Sequence, residues 1–285
     1  MGNLGWRVVV AVAGIPLALF FVYTGGLPLA LFLGTVAALG AWELFRMARK
    51  RGVQPFDALG IPLAAALPLG AHLVAIGLLD RPAAAAGVIL VALIGVAIWW
   101  RSPDDRPLEA VAVTAFAPLY VGGTLAFGYA LRHHPWVVGA LPGTILVLFP
   151  LVVTWATDIG AYVIGRLLGK RKLMPSVSPG KTVAGAAGGL VAAVVVAVAY
   201  NALTLRPVAQ LALAPWTAMV FGLLVSSAAQ VGDLAESLFK RAAGVKDSSR
   251  ILPGHGGILD RLDSLFFVLP LAYLLLGRLL LPAPR

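Results

Sequence analysis

Nine apolar stretches, most of them close to bilayer-crossing length, decide what this chain can fold into. A hydrocarbon core takes about 20 residues of α-helix to cross. Within it, every backbone N–H and C=O must find a partner inside the helix or a closed sheet. The stretches run over roughly 6–24, 27–46, 60–79, 84–100, 108–131, 140–165, 182–200, 211–232 and 262–281. They do not alternate apolar and polar residues, as the ten-residue strands of a barrel would. Only 12% of the 285 residues are charged, against about 25% in an ordinary soluble domain. The chain therefore reads as an all-α polytopic membrane protein with about nine transmembrane helices. The fourth stretch is short and ends in Trp99 and Trp100, which suit an interfacial belt. The first follows Arg7 without a convincing cleavage site and reads as an uncleaved span.

Charge then orients the spans. The formal net charge of +10 would suggest nucleic acid in a soluble protein. In a membrane protein its distribution matters more. With the N-terminus in the cytoplasm, 17 of the 22 Lys and Arg residues fall on the cytoplasmic side and 5 on the other. That bias is the positive-inside pattern, and it needs an odd number of crossings. The expectation is a multi-pass protein of the cell membrane with no nucleic-acid partner. Residues 1–135 would hold about five N-terminal helices. Residues 136–285 would form a catalytic transmembrane region with cytoplasmic loops 166–181 and 233–263. Loop 46–58 is basic and reads as a topology determinant beside anionic headgroups. The two later loops mix bases with acids, Gly, Pro and hydroxyls, which topology alone does not require. The absence of cysteine removes thiolate chemistry and Cys-ligated metals.

Four segments carry the chemistry. In "TWATDIGAYVIGRLLGKRKL" Asp158 lies inside an apolar run, where an ionisable residue is costly and points to function. Helical spacing puts Asp158, Tyr162 and Gly165 on one face, with Arg166 nearby. In "PSVSPGKTVAGAAGG" Ser178, Lys181 and Thr182 precede a helix. The full Walker pattern is missing, because Pro175 stands where its first Gly should be. A helix start with a Lys and hydroxyls is still suited to anions. Gly185, Gly188 and Gly189 read better as helix-packing residues. In "SSAAQVGDLAESLFKR" Asp233, Ser237, Lys240 and Arg241 share a helical stripe, and Glu236 lies one step off it. In "LPGHGGILDRLD" glycines bracket His255, and Asp260 and Asp263 can face one side of the next helix start. One of these acids can serve as a cap. Two acids with Arg261 and His255 exceed what capping requires. Carboxylates with few other ligands favour Mg²⁺, and the flanking Lys and Arg residues suit phosphate oxygens. Such a site would lie where a soluble nucleotide and a lipid phosphate can meet.

These residues resemble a known family. Ser237, Phe239, Lys240, Arg241, Lys246, Asp247, Ser249, Leu252, Pro253, His255, Gly256, Gly257, Ile258, Asp260, Arg261 and Asp263 are similar in order and spacing to the signature of CDP-diacylglycerol synthases, also called phosphatidate cytidylyltransferases. "DIGAYVIGRLLGK" and "SPGKTVAG" resemble two further blocks of that family. The resemblance implies transfer of CMP from CTP to phosphatidate in phospholipid synthesis, with Mg²⁺ required. It implies Asp233 and Asp260 as metal ligands, a second, monovalent cation such as K⁺, and a homodimer. Asp158 joins the metal candidates. Lys240, Arg241 and His255 complete the catalytic set. Ser178, Lys181, Thr182, Ser237, Lys246 and Arg261 are the substrate-binding candidates. The attacking phosphate is already largely ionised near neutral pH. His255 therefore reads as a phosphate contact or loop organiser ahead of a general base. Two other readings stay open here. A CTP-dependent lipid-alcohol kinase would release CDP. A transporter would also carry intramembrane acids, although no second half repeats the pattern.

Overall fold

The computed structural model describes residues 3–80, 82–254 and 256–282. Helices stand where the apolar runs predict them. α1 (Asn3–Thr24), α2 (Gly26–Arg49), α3 (Asp57–Ala75) and α4 (Pro82–Trp100) come first. α5 (Pro107–Ala117) passes through a π-helical turn, Pro118–Gly123, into α6 (Thr124–Arg132). Pro118 cannot donate to the ladder, and the helix widens there. α7 (Ala140–Leu168) leads into a hairpin of β1 (Lys172–Met174) and β2 (Ser178–Thr182), within the stretch read as a loop. α8 (Val183–Tyr200) continues through a second π-helical turn, Asn201–Leu205, into α9 (Arg206–Ala209). β3 (Leu211–Ala212), α10 (Pro215–Ala242), α11 (Leu259–Leu262), α12 (Leu265–Leu279) and β4 (Leu281–Pro282) complete the order. β4 pairs with β3.

Among the described residues, seven helical stretches are long and apolar enough to cross a membrane. Two shorter apolar helices, Val12–Thr24 and Gly87–Trp100, fall at the first and fourth predicted runs. The chain is an all-α polytopic membrane protein. It divides into two compact units, Met1–Tyr129 with Ala242–Arg261, and Ala130–Arg241 with Leu262–Arg285.

In the first unit, backbones meet closely at glycine. A Cβ on Gly34 would lie 2.8 Å from the Ala65 carbonyl oxygen, so α2 and α3 pack with little between them. The basic loop after α2 is tied down. Arg49 pairs with Asp57 at 2.6 Å. Arg106 donates to the Arg51 carbonyl at 2.8 Å, and Arg101 to the Gln54 carbonyl at 2.9 Å. Two basic segments thus share one end of this unit.

In the second unit, α7 and α8 pack through the small residues that the sequence offered for this purpose. A Cβ on Gly185 would lie 2.7 Å from the Ala161 carbonyl oxygen, and one on Gly189 2.9 Å from that of Thr157. Thr157 also meets Ser226 Oγ at 3.0 Å, linking α7 to α10. Gly188 faces the β-branched Ile164, which has little freedom to move aside. Gly188→Ala is expected to cost about 1–3 kcal/mol by overpacking. The thermal unfolding midpoint of the purified protein in detergent measures this. An unchanged midpoint would show that the two helices are not held at this distance.

Candidate active site

A cavity of about 600 Å³ lies within the second unit, among α7, the hairpin, α8 and α10. α7 presents Asp158, Tyr162, Gly165 and Arg166 to it, the face that helical spacing predicts. β2 contributes Lys181 and Thr182, and α10 contributes Gln230 and Asp233. Antiparallel pairing sets Thr182 opposite Lys172 and so fixes the end of the strand. Thr182 then caps α8, its Oγ1 accepting from the Gly185 N–H at 3.1 Å. Lys181, one residue earlier, reaches across to Asp233 with Nζ 2.5 Å from Oδ2. Arg166 donates to the Tyr162 hydroxyl at 2.9 Å. Asp158 lies instead in the field of Asp233 and Lys181.

Gly232 explains how a further acid joins this group. A Cβ there would lie 2.7 Å from the Asp263 carbonyl oxygen and 3.0 Å from Ser264 Cα. The missing side chain lets α10 approach the entry to α12 closely. Asp263 thereby comes into the field of Asp233, Asp158 and Lys240. One turn along α10, Lys240 Nζ lies 2.5 Å from the buried carboxylate of Glu236. Four carboxylates, Asp158, Asp233, Glu236 and Asp263, thus stand with two ammonium groups, Lys181 and Lys240. Glu236 and Asp263 take a larger part than the sequence suggested.

That donor set fits a hard divalent cation. Carboxylates outnumber the two ammonium groups and the Arg166 guanidinium together, and the cavity leaves space beside Asp158 and Asp233. Among the described residues, no three His, Cys, Asp or Glu side chains form a ready-made metal cage. Mg²⁺ does not need one, because it usually keeps water and takes one or two carboxylates together with substrate phosphates.

The other candidates are not among the residues that line this cavity. Ser178 opens β2 half-buried, and Ser237 is half-buried on α10. Arg241 Nε donates to the Val177 carbonyl at 3.5 Å, tying the end of α10 to the hairpin. Asp260 belongs to the first unit, with Lys246 and Arg261, both exposed. Its Oδ2 accepts from the Ser248 N–H at 2.9 Å and the Gly257 N–H at 2.8 Å, and lies 2.9 Å from the Ser248 hydroxyl. Gly254 and Gly256 take φ of 74° and 81°, and the Leu252 N–H donates to the Gly256 carbonyl at 2.9 Å. The sharply turned segment expected around them is therefore present. His255 lies outside the described residues. Sequence reasoning passed over Glu43 of α2, which is fully buried.

Residues 5–279 match the Cytidylyltransferase family. The chain belongs to this family. A protein of Bacillus subtilis named phosphatidate cytidylyltransferase is 33% identical over 280 residues, covering 97% of this chain and 99% of its own. One of the same name from Pseudomonas aeruginosa is 36% identical over 276 residues, 93% of each chain. Another, from Staphylococcus saprophyticus, is 46% identical over 157 residues, 55% of each. The family read from the signature is thus borne out, and the cavity described above is the candidate active site of a cytidylyltransferase.

Proposed function

We propose that this cytidylyltransferase transfers CMP from CTP to phosphatidate, giving CDP-diacylglycerol and pyrophosphate, with Mg²⁺ required. The observation that carries the reading is the Lys181–Asp233 pair at the cavity of a family member whose full-length relatives are named for this activity. A phosphatidate oxygen attacks the α-phosphorus of CTP in line. The bond from that phosphorus to the bridging oxygen breaks, and pyrophosphate leaves with the electron pair. The nucleophile is already anionic, so no strong base is needed. The difficulty is repulsion between two polyanions, and fixed charge aimed at the transition state removes it.

Lys181 and Asp233 part when substrate arrives. The Lys181 ammonium would then hold a phosphate oxygen, and the Asp233 carboxylate would be free to hold the cation. Asp233 would hold a Mg²⁺ ion there, which would supply neutralisation of the charge developing on the phosphates. Asp158 borders the same space and is the adjacent candidate ligand. Asp260 is the ligand offered by the signature loop, its orientation fixed by two backbone N–H donors in the way outer partners orient metal ligands. Within the second unit Lys240 and Arg241 add to the cationic surroundings of the phosphates, with Ser178, Thr182 and Ser237 as hydroxyl partners; Lys246 and Arg261 are the substrate contacts that the signature loop offers. A monovalent cation such as K⁺ and a homodimer complete the assembly. The chain crosses the cell membrane nine times, with its N-terminus and active site in the cytoplasm. Seven long apolar helices, two shorter ones and the Lys/Arg bias support that count and orientation.

The test is a product assay with α-labelled CTP. Purified protein with phosphatidate and Mg²⁺ is expected to place the label in lipid and release pyrophosphate one for one. Omitting Mg²⁺ is expected to abolish both. Release of CDP, or inactivity of folded protein, would overturn the assignment.

A further inference from the structure

Glu43 sits within "GAWELF", residues 40–45, on α2 of the first unit. Its side chain is fully buried. A buried carboxylate is tolerated only with full hydrogen bonding. Glu43 has it. Oε1 accepts from the Ser249 hydroxyl at 2.6 Å and the Ile258 N–H at 2.9 Å. Oε2 accepts from the Ser248 hydroxyl at 2.8 Å and the Leu259 N–H at 2.9 Å. Each oxygen therefore takes one hydroxyl and one backbone N–H. The donors come from both ends of segment 248–259, so one side chain closes the signature loop on itself and onto α2.

The closure extends to Asp260. The Ser248 hydroxyl has one proton, and it lies within reach of both Glu43 Oε2 and Asp260 Oδ2. Gly257 donates its N–H to Asp260. A Cβ on Gly257 would collide with Ser248 Oγ and both Glu43 oxygens. The segment between the two carboxylates is thus packed without slack. A carboxylate is specifically suited to the place. It is acceptor-only, whereas the amide of glutamine carries two donors on one end. In Glu43→Gln that end would face a backbone N–H, which cannot turn round to accept.

We infer that Glu43 is a positioning residue of the reaction: through Ser248 and Gly257 it fixes the carboxylate of Asp260. The kinetic part of this inference rests on the proposed function; the hold on the loop does not. Two readouts separate them, both on the full chain in detergent. The first is limited trypsinolysis. Lys246 and Arg250 are exposed on the loop, and Lys170 and Arg171 are exposed before the hairpin of the other unit. Glu43→Gln is expected to speed cleavage after Lys246 and Arg250 by on the order of 10-fold, through local opening. Cleavage after Lys170 and Arg171 is expected to keep its rate. The second readout is kinetic. kcat is expected to fall on the order of 100-fold, as misplacement of a catalytic group does. KM for CTP is expected to change less than kcat, since Lys181 in the cavity is untouched and only the contacts carried by the loop, Lys246 and Arg261, are loosened.

Wild-type cleavage rates in Glu43→Gln would overturn the hold on the loop, and wild-type kcat would overturn the positioning role. If the unaltered protein makes no CDP-diacylglycerol, the proposed function fails while trypsin still decides the hold. If Glu43→Gln does not accumulate folded, Ser249→Ala removes one of the four donors to Glu43, together with the acceptor of the Ile251 N–H, so cleavage after Lys246, away from Ile251, is the one compared. It is expected to speed loop cleavage by about 3-fold, and no change there would likewise overturn the hold.

Discussion

Asp233→Asn is expected to lower CDP-diacylglycerol formation on the order of 1,000-fold while the protein stays folded. The substitution keeps the shape of the side chain and removes its charge. It removes two things at once: the proposed anchor for the cation and the partner of Lys181, 2.5 Å away. Stability is expected to change little. The two side chains are 27% and 33% exposed, and a pair so accessible to water contributes about 1 kcal/mol or less. Turnover of α-labelled CTP across a Mg²⁺ titration reads the first effect, and the unfolding midpoint reads the second. Wild-type turnover at saturating Mg²⁺ would remove Asp233 from the machinery. A collapsed midpoint would make its role architectural.

How far the sequence foretold this site depends on what each residue does. The spans were legible because hydrocarbon imposes a length and an apolar composition, and α2, α7 and α10 sit on the runs that announced them. Asp158 was legible because an acid in an apolar run is rare enough to notice, and the face it shares with Tyr162 and Gly165 follows from helical period alone. The meeting of Lys181 with Asp233 was not legible. It depends on a hairpin whose strands are three and five residues long, too short for a period to show. Asp263 joins the group because Gly232 allows close contact across more than thirty positions of sequence, which no local pattern records. Glu43 is different. The rule that singled out Asp158 applies equally to an acid within "GAWELF", near the end of the apolar stretch 27–46. α10 also runs on to Ala242, beyond the predicted end of its span near 232. Asp233, Glu236 and Lys240 are therefore set by a continuous helix, not by a loop.

Lys240 and Glu236 supply the other large effect. Position on the α10 stripe suggested Lys240 as a phosphate contact, but its Nζ lies 2.5 Å from Glu236 Oε2, with the two side chains 13% and 2% exposed. At that burial, removing one partner leaves a charge where water cannot compensate for it, at a cost of about 3–5 kcal/mol. Glu236→Ala is expected to lower the unfolding midpoint by roughly 10 °C, the size such a loss takes in a chain of this length. Replacing both charges with apolar groups of similar volume often restores stability. Glu236→Leu with Lys240→Met is therefore expected to return the midpoint to within a few degrees of the wild type. Turnover is not expected to return with it. Asp263 lies in the field of Lys240 as well as of Asp233 and Asp158. Without that ammonium, the carboxylates at the proposed cation site lose one of their cationic partners. The double variant is expected to remain at least about 10-fold slower than wild type, in line with the loss of one electrostatic partner. Recovery of both midpoint and turnover would show that the pair only holds the helix in place. Recovery of the midpoint alone locates the function of Lys240 in the electrostatic balance of the carboxylates, whether or not it touches a phosphate.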